Sequence, residues 1–138
     1  MRAVLDPNVI ISAVLSPSGA PARVVRHWLD GAYELVVSPM LLDELSRALA
    51  YPKLRKRISA AEAEELLHLL QSDADVVQDP TGAPPVRSPD PDDDYLIALA
   101  ASAQAVLVSG DTDLLGLDDD IPASSPADFL RRLEAQDR

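Results

Sequence analysis

Apolar residues are concentrated in short runs, separated by longer segments in which they recur at helical spacing. The runs at 2–5, 34–37 and 105–108 are rich in Val and Leu, and each is followed at once by Asp or Ser. This pattern is typical of buried strands in a parallel sheet. A weaker run at 74–77 predicts one more strand. Strands and helical segments therefore alternate along the chain.

Capping and stop signals mark several of the helix boundaries. Ser59 with Glu62 three residues later forms a capping box, and Gly31 is a C-terminal stop for the helix before it. The predicted helices cover residues 8–15, 20–30, 39–50, 59–70, 93–103 and 126–133. Their alternation with strands predicts a three-layer α/β/α sandwich around a central, mainly parallel sheet of four to five strands, in a single domain over residues 1–138.

The composition limits the chemistry that the chain can perform. Its 138 residues include no cysteine and two histidines, which excludes disulfides, thiol nucleophiles, thiolate metal sites and multi-histidine metal sites. Any bound metal should be a hard cation held by oxygens, such as Mg²⁺ or Mn²⁺. The 23 acidic residues outnumber the 12 basic ones, and the formal charge of −11 disfavours binding nucleic acid by phosphate neutralisation alone. Asp6 and Pro7 interrupt the first apolar run, so we expect no signal peptide or membrane span and a cytoplasmic protein.

Two acidic residues follow predicted strands that should lie side by side. Asp6 ends the first strand, and Asp111 follows the strand at 105–108 through Ser109 and Gly110. Because the carboxyl ends of parallel strands meet at one edge of a sheet, we expect Asp6 and Asp111 to emerge together. A structural alternative for Asp6 is a cap on the turn at Asn8.

Helix phase separates two further acids. Glu44 flanks the apolar face of its predicted helix, whereas Asp43 points away from that face into solvent. The apolar face comprises Leu41, Leu42, Leu45, Ala48 and Leu49. Glu44 is therefore a candidate for a crevice and Asp43 is a surface acid.

Four acids crowd the start of the apolar helix at 93–103. We interpret Asp92 and Asp93 as helix caps and Asp94 as a functional acid, since four carboxylates exceed what one cap needs and repel one another without a nearby cation. The fourth acid of this cluster is Asp90. We interpret the acids at 118–120 as part of a solvated loop.

Several segments, taken together, resemble the PIN-domain family, and within it the VapC-type ribonucleases that are toxins of toxin–antitoxin systems. The segments are 4–12 (VLDPNVIIS), 38–45 (SPMLLDEL), 90–94 (DPDDD) before 96–100 (LIALA), and 108–115 (VSGDTDLL). The connector 52–55 and the closing segment 126–130 look like the same branch. The resemblance covers nearly the whole chain.

The resemblance implies an endoribonuclease that depends on Mg²⁺ or Mn²⁺, with an RNA substrate, a small antitoxin as partner, and a homodimeric state. It assigns the catalytic acids to Asp6, Glu44, Asp94 and Asp111, and the metal ligands to Asp6, Asp94, Asp111 and Asp113. Asn8 and Ser109 match polar positions that line the site. The chain departs from the family at Pro7, where Thr or Ser is usual, and this departure supports an alternative: a weak or inactive module that binds a partner protein or RNA.

A basic segment is the candidate surface for the RNA backbone. Five of the twelve basic residues lie between 47 and 57, with Tyr51 among them: Arg47, Lys53, Arg55, Lys56 and Arg57. The alternative is an ordinary solvated connector.

Two other enzyme classes are disfavoured. A receiver domain needs a lysine late in the chain, and none follows residue 56. An aspartyl phosphatase needs an acid where Asn8 stands.

Overall fold

Five parallel strands form one sheet in the computed structural model, which describes residues 1–117 and 121–136. The strands are β1 (Arg2–Leu5), β2 (Glu34–Val37), β3 (Asp75–Val76), β4 (Val106–Val108) and β5 (Ala123–Ser124). Their order across the sheet is β3-β2-β1-β4-β5, with every neighbouring pair parallel. The predicted α/β/α fold class is confirmed. The acids at 118–120 lie outside the described residues.

Helices precede or follow each strand and flank the sheet. They are α1 (Pro7–Leu15), α2 (Ala20–Leu29), α3 (Pro39–Leu49), α4 (Pro52–Arg55), α5 (Ala60–Asp73), α6 (Asp94–Ala103), α7 (Thr112–Leu115) and α8 (Pro126–Gln136), with a 3₁₀ turn at Pro91–Asp93 before α6. The sequence pattern did not predict β5, α4 or α7. These elements have two to four residues, which is less than the length over which a hydrophobic period can be recognised.

The register of β1 and β4 brings their carboxyl ends together. Leu5 lies opposite Val108, and the backbone N–H of Asp6 donates to the carbonyl of Val108 at 2.9 Å. Both strands are buried because helices cover both faces of the sheet. Asp6 and Ser109 therefore leave the sheet side by side, as the sequence predicts for parallel strands.

Helices α2 and α8 close one side of the core. Phe129 is fully buried and meets Tyr33 edge to face, with ring centroids 5.2 Å apart. On α2, Val24 and Trp28 are buried in the core, whereas Leu29 is half exposed. Much of the apolar surface of α2 is thus buried against the core of the same chain.

Tyr33 supplies a first testable contact. Its hydroxyl donates to the carbonyl of Val24 at 2.9 Å in a buried environment. We expect Tyr33→Phe to lower the free energy of unfolding by about 1 kcal/mol, measured by urea denaturation, since one buried hydrogen bond is lost without a change in packing. Tyr51→Phe is the matched control, because the Tyr51 side chain is largely exposed. Equal losses in both variants would contradict the assigned bond.

Within residues 1–117 and 121–136, no helix is long and apolar enough to cross a membrane.

Candidate active site

Asp6 lies at the end of β1 and is almost fully buried, with 7% of the residue exposed. Its Oδ1 accepts a hydrogen bond from the backbone N–H of Asn8 at 3.0 Å, and its Oδ2 accepts one from the Ser109 hydroxyl at 2.9 Å. Burial raises the pKa of Asp6, and the negative charge of Asp111 raises it further, while the two hydrogen bonds oppose this shift. Asp6 therefore caps α1 and also places a carboxylate at the sheet edge.

Pro7 is accommodated at the first position of α1. A backbone N–H at this position has no partner within the helix, so its loss to proline leaves no helical hydrogen bond unmade. The capping bond to Asp6 comes from Asn8, one residue later. The structure thus shows no disturbance of Asp6 from the residue that departs from the family pattern.

Ser109 links the two acids that follow β1 and β4. It is fully buried, and its Oγ accepts from the backbone N–H of Asp111 at 3.0 Å while donating to Asp6. Asp111 in turn caps α7, accepting from the backbone N–H of Asp113 at 2.9 Å. The Asp113 side chain, a predicted metal ligand, is exposed. The backbone N–H of Asp113 orients the Asp111 carboxylate through this hydrogen bond.

Asp94 is held by the loop that precedes α6. Its Oδ1 accepts from the backbone N–H of Ser88 at 2.8 Å, and its Oδ2 pairs with the Arg87 guanidinium at 3.1 Å. The Asp94 side chain is 14% exposed. This carboxylate therefore anchors the loop at Arg87 and Ser88 to the start of α6.

Asp93 is the acid of this segment that shares the electrostatic environment of the sheet edge. Its pKa is raised to about 6, first by burial and then by the negative charges of Asp6, Asp90, Asp111 and Glu44. It stands at the N-cap of α6, as predicted, where its charge is favourable to the helix dipole, but its side chain makes no capping hydrogen bond. The structure brings Asp93, rather than Asp94, into the acidic group.

Helix phase contains a signal for Asp93. Leu96, Ile97 and Ala100 lie three, four and seven residues after it, and all three are buried. An acid in phase with such positions faces the protein rather than solvent. The signal is weak in the sequence because α6 is apolar on almost every side, with Ala98 and Leu99 buried as well.

Glu44 is half buried on α3 and receives a hydrogen bond from the Tyr95 hydroxyl. Burial raises the pKa of Tyr95, and the bond to Glu44 raises it further, so the phenol stays protonated and acts as a donor. Asp43 is exposed and pairs with Arg47 at 3.2 Å, as helix phase predicts. No pattern in the sequence distinguishes Tyr95 as a site residue.

Asp93 thus experiences the negative charges of Asp6, Asp90, Asp111 and Glu44, and Asp6 experiences that of Asp111. We call Asp6, Glu44, Asp93 and Asp111 the acidic group. Like charges at close range disfavour ionisation, and a divalent cation would relieve the repulsion. An oxygen-only donor set fits Mg²⁺ or Mn²⁺. In the side-chain positions observed, no three Asp, Glu or His side chains within residues 1–117 and 121–136 are arranged to hold a metal ion. The chemistry of the donors fits the cation, and cation binding would require the carboxylates to turn toward a common point.

A cleft of about 650 Å³ opens beside Glu44. It is lined by Asn8, Met40, Asp43, Glu44, Arg47, Ala48, Tyr51, Pro91, Asp92 and Tyr95. Of the five basic residues predicted to contact RNA, Arg47 lines this cleft, while Lys53, Arg55, Lys56 and Arg57 are exposed outside its lining. A second cleft of about 410 Å³ lies on the side of Asp6 and Asp111, and Asn8 lines both.

Comparison with known proteins gives a family match and a fold match. A family model described as the PIN domain matches residues 2–113, a range that contains all four carboxylates. The uncharacterized protein MJ1680 of Methanocaldococcus jannaschii is 26% identical over 145 residues, which cover 97% of this chain and 92% of that protein.

Three solved structures share the fold at low sequence identity. VapBC2 from Rickettsia felis, bound to a DNA fragment from its promoter, has a TM-score of 0.63 at 13% identity, covering 91% of this chain and 98% of that one. VapBC-1 from nontypeable Haemophilus influenzae has a TM-score of 0.62 at 19% identity, covering 92% of this chain and 99% of that one. FitAcB from Neisseria gonorrhoeae has a TM-score of 0.56 at 21% identity, covering 91% of this chain and 98% of that one.

Proposed function

Because this chain belongs to the PIN domain family, we propose that it is an endoribonuclease that depends on Mg²⁺ or Mn²⁺, and the toxin of a toxin–antitoxin pair. One observation carries the proposal: at the carboxyl edge of the sheet, buried Asp6 is joined to Asp111 through Ser109, and the charges of both act on Asp93. Parallel α/β sheets place their functional crevices at this edge. The VapBC and FitAcB names of the similar structures agree with the resemblance to VapC-type toxins.

The chain's own residues would hold and orient the cation. Asp6, Asp93 and Asp111 are the proposed ligands, with Ser109 holding Asp6 through the hydrogen bond to Oδ2. When bound, the cation lowers the pKa of water and stabilises negative charge on the phosphate. Tyr95 holds Glu44 at the border between these ligands and the larger cleft. We propose that Glu44 positions the attacking water or a second cation.

The acidic composition is compatible with an RNA substrate under this proposal. The formal charge of −11 repels phosphate when no cation is present. Divalent cations among the clustered carboxylates would reverse the local field where phosphate must approach. RNA association should therefore be weak in chelator and should recover with Mg²⁺ or Mn²⁺.

The proposal is tested with the purified chain and end-labelled RNAs, one single-stranded and one with a hairpin, together with DNA of the same sequences. We expect RNA cleavage in Mg²⁺ or Mn²⁺, no cleavage in EDTA, and recovery when the cation is restored. Cleavage that persists in EDTA would overturn the metal assignment. A chain that cleaves none of the RNAs in either cation would overturn the enzyme assignment and favour the binding module.

The binding-module alternative rested on Pro7. Since Asp6 keeps its hydrogen bonds to Asn8 and Ser109 beside this proline, the structure offers no observation that favours the alternative over the nuclease. An antitoxin partner, a homodimer and a cytoplasmic location belong to the proposed toxin role. Light scattering of the purified chain, alone and co-expressed with the product of a neighbouring small gene, measures both assemblies.

Ser109 should affect cleavage through its contact with Asp6. We expect Ser109→Ala to lower kcat/KM by about 10- to 100-fold, because groups that orient metal ligands have effects of this size. The apparent affinity for Mn²⁺, measured by calorimetry, should fall in parallel. Ser102→Ala is the matched control on the exposed side of α6. A change of less than about twofold in both quantities would contradict the orienting role.

A further inference from the structure

We infer that the cleft beside Glu44 is a nucleotide subsite for single-stranded RNA, in which Tyr51 stacks on a base and Arg47 contacts an adjoining phosphate. The inference rests on the proposed nuclease function and goes beyond it, because it assigns the substrate strand to one side of the acidic group. It also separates Arg47 and Tyr51 from the remaining basic residues of the 47–57 segment.

Helix α3 places three side chains in one stripe, and the turn after it adds a fourth to the same cleft. Glu44, Arg47, Ala48 and Tyr51 are spaced at zero, three, four and seven residues, and all four line the cleft. One turn of helix rises about 5.4 Å, so Arg47 lies about one turn from Glu44. Tyr51 follows the end of α3 at Leu49 and stands at the N-cap of α4. The small side chain of Ala48 leaves space between them. A strand bound along this stripe would run directly into the acidic group.

Tyr51 presents an aromatic surface to the cleft. It is 65% exposed, and Met40, which also lines the cleft, is 50% exposed. Large apolar side chains in a concave surface beside charged groups mark binding sites rather than ordinary surface. Stacking on an aromatic ring is the usual way in which proteins hold unpaired bases, and it tolerates any base. These two side chains therefore offer a platform for one base.

Arg47 supplies the positive charge of the cleft lining. Its Nε pairs with Asp43 at 3.2 Å, and both side chains are about 70% exposed (71% and 69%). An exposed ion pair of this kind contributes little energy, so exchanging it for a phosphate costs little. After this exchange, the N–H groups of the guanidinium can bind phosphate oxygens in a bidentate manner. Arg47 thus fits the backbone beside a stacked base.

The shape and charge of the two clefts decide which side takes the base. The cleft beside Glu44, at about 650 Å³, is within the size range of sites that bind small ligands. Its lining combines the acids Asp43, Glu44 and Asp92 with the basic Arg47, whereas the charged residues lining the smaller cleft, Asp6 and Asp111, are both acidic. Of the two clefts, the one beside Glu44 therefore offers a cation to phosphate. A base must also be unstacked from its neighbours to reach an aromatic ring, which favours a single strand over a duplex.

Photocrosslinking tests the placement without requiring cleavage. The full native chain is mixed in Mg²⁺ with a short single-stranded RNA that has hydrolysis-resistant linkages and contains 4-thiouridine, and is irradiated at long wavelength. We expect the crosslink on the tryptic peptide 48–53, which contains Tyr51. Binding is then measured by fluorescence anisotropy with the same RNA. Tyr51→Leu should weaken binding about tenfold, and Tyr51→Phe should restore it.

Arg47→Gln tests the phosphate contact. It should weaken binding several-fold and reduce the slope of log affinity against log salt by about 0.7, as expected for one lost contact to a single strand. Arg132→Gln, on the exposed surface of α8, is the matched control and should change neither quantity. Crosslinks confined to other peptides, or unchanged affinity in Tyr51→Leu, would overturn the inference while leaving the nuclease proposal intact. A chain that neither binds nor cleaves RNA in Mg²⁺ or Mn²⁺ would overturn both.

Discussion

Replacing Asp6 by Asn is expected to reduce RNA cleavage on the order of 10³-fold while preserving the fold. Asp6 is the most buried of the four carboxylates and is held at the sheet edge by Asn8 and Ser109. An amide occupies the same space but carries no negative charge to hold a cation. Single-turnover cleavage in Mg²⁺ measures the loss.

The stability of the Asp6→Asn variant separates lost chemistry from lost structure. Asn caps a helix about as well as Asp, so the bond from the Asn8 backbone should persist. Burial raises the pKa of Asp6, which means that its charged form is disfavoured in the native state. The metal-free variant should therefore melt at or above the temperature of the native chain, and it should lose the stabilisation that Mn²⁺ confers on the native chain.

A matched acid provides the control for this experiment. Asp73→Asn changes an exposed carboxylate at the end of α5 and should leave cleavage unchanged. If Asp6→Asn retains activity within about tenfold of the native chain, the assignment of Asp6 as a ligand is wrong. A variant that is inactive but melts well below the native chain would instead show that Asp6 is needed mainly for folding.

The second large effect distinguishes two neighbouring acids. Asp93→Asn should lower cleavage on the order of 10²- to 10³-fold, because Asp93 is the one that experiences the charges of Asp6, Glu44 and Asp111. Asp94→Asn should lower the rate of RNA cleavage by less than about tenfold. Its carboxylate binds Ser88 and Arg87, and an amide oxygen can still accept the bond from the Ser88 backbone.

Stability should change in opposite directions in the two variants. Asp94→Asn loses the ion pair with the exposed Arg87 and should destabilise the chain by up to about 1 kcal/mol. Asp93→Asn removes a repelled charge, and after allowance for solvent screening of this half-exposed group it should stabilise the metal-free chain by about 1 kcal/mol at pH 7. Urea denaturation in EDTA measures both.

The pH dependence follows from the direction of the Asp93 shift. Its pKa in the folded chain is about 6, above the value of 3.8 expected when unfolded. The native state thus binds this proton more tightly, and the contribution of Asp93 to stability falls as pH rises from about 4 to 6. Asp93→Asn should flatten that part of the profile of unfolding free energy against pH.

The cleavage comparison has an outcome that would contradict the role of Asp93. If Asp94→Asn abolishes cleavage and Asp93→Asn does not, Asp94, the acid inferred from the sequence resemblance, is the functional one.

A comparison of α3 and α6 shows why the position of Glu44 could be predicted from the sequence and that of Asp93 could not. On α3, apolar residues occupy one face only, so phase alone distinguishes half-buried Glu44 from exposed Asp43. On α6, five consecutive residues from Leu96 to Ala100 are buried, so the helix has little polar surface and its phase is only a weak signal for Asp93. The orientation of Asp93 and Asp94 therefore depended on how α6 packs.

The sequence by itself determined the fold class and the common edge of Asp6 and Asp111. Alternating strands and helices require parallel pairing, and parallel pairing places the residues after β1 and β4 together. Only the tertiary structure decided that Asp93 joins the acidic group, that Asp94 holds the preceding loop, and that Arg47 and Tyr51 share a cleft with Glu44. These relations join residues through packing between elements, and no local period or capping signal records how one element is rotated against another.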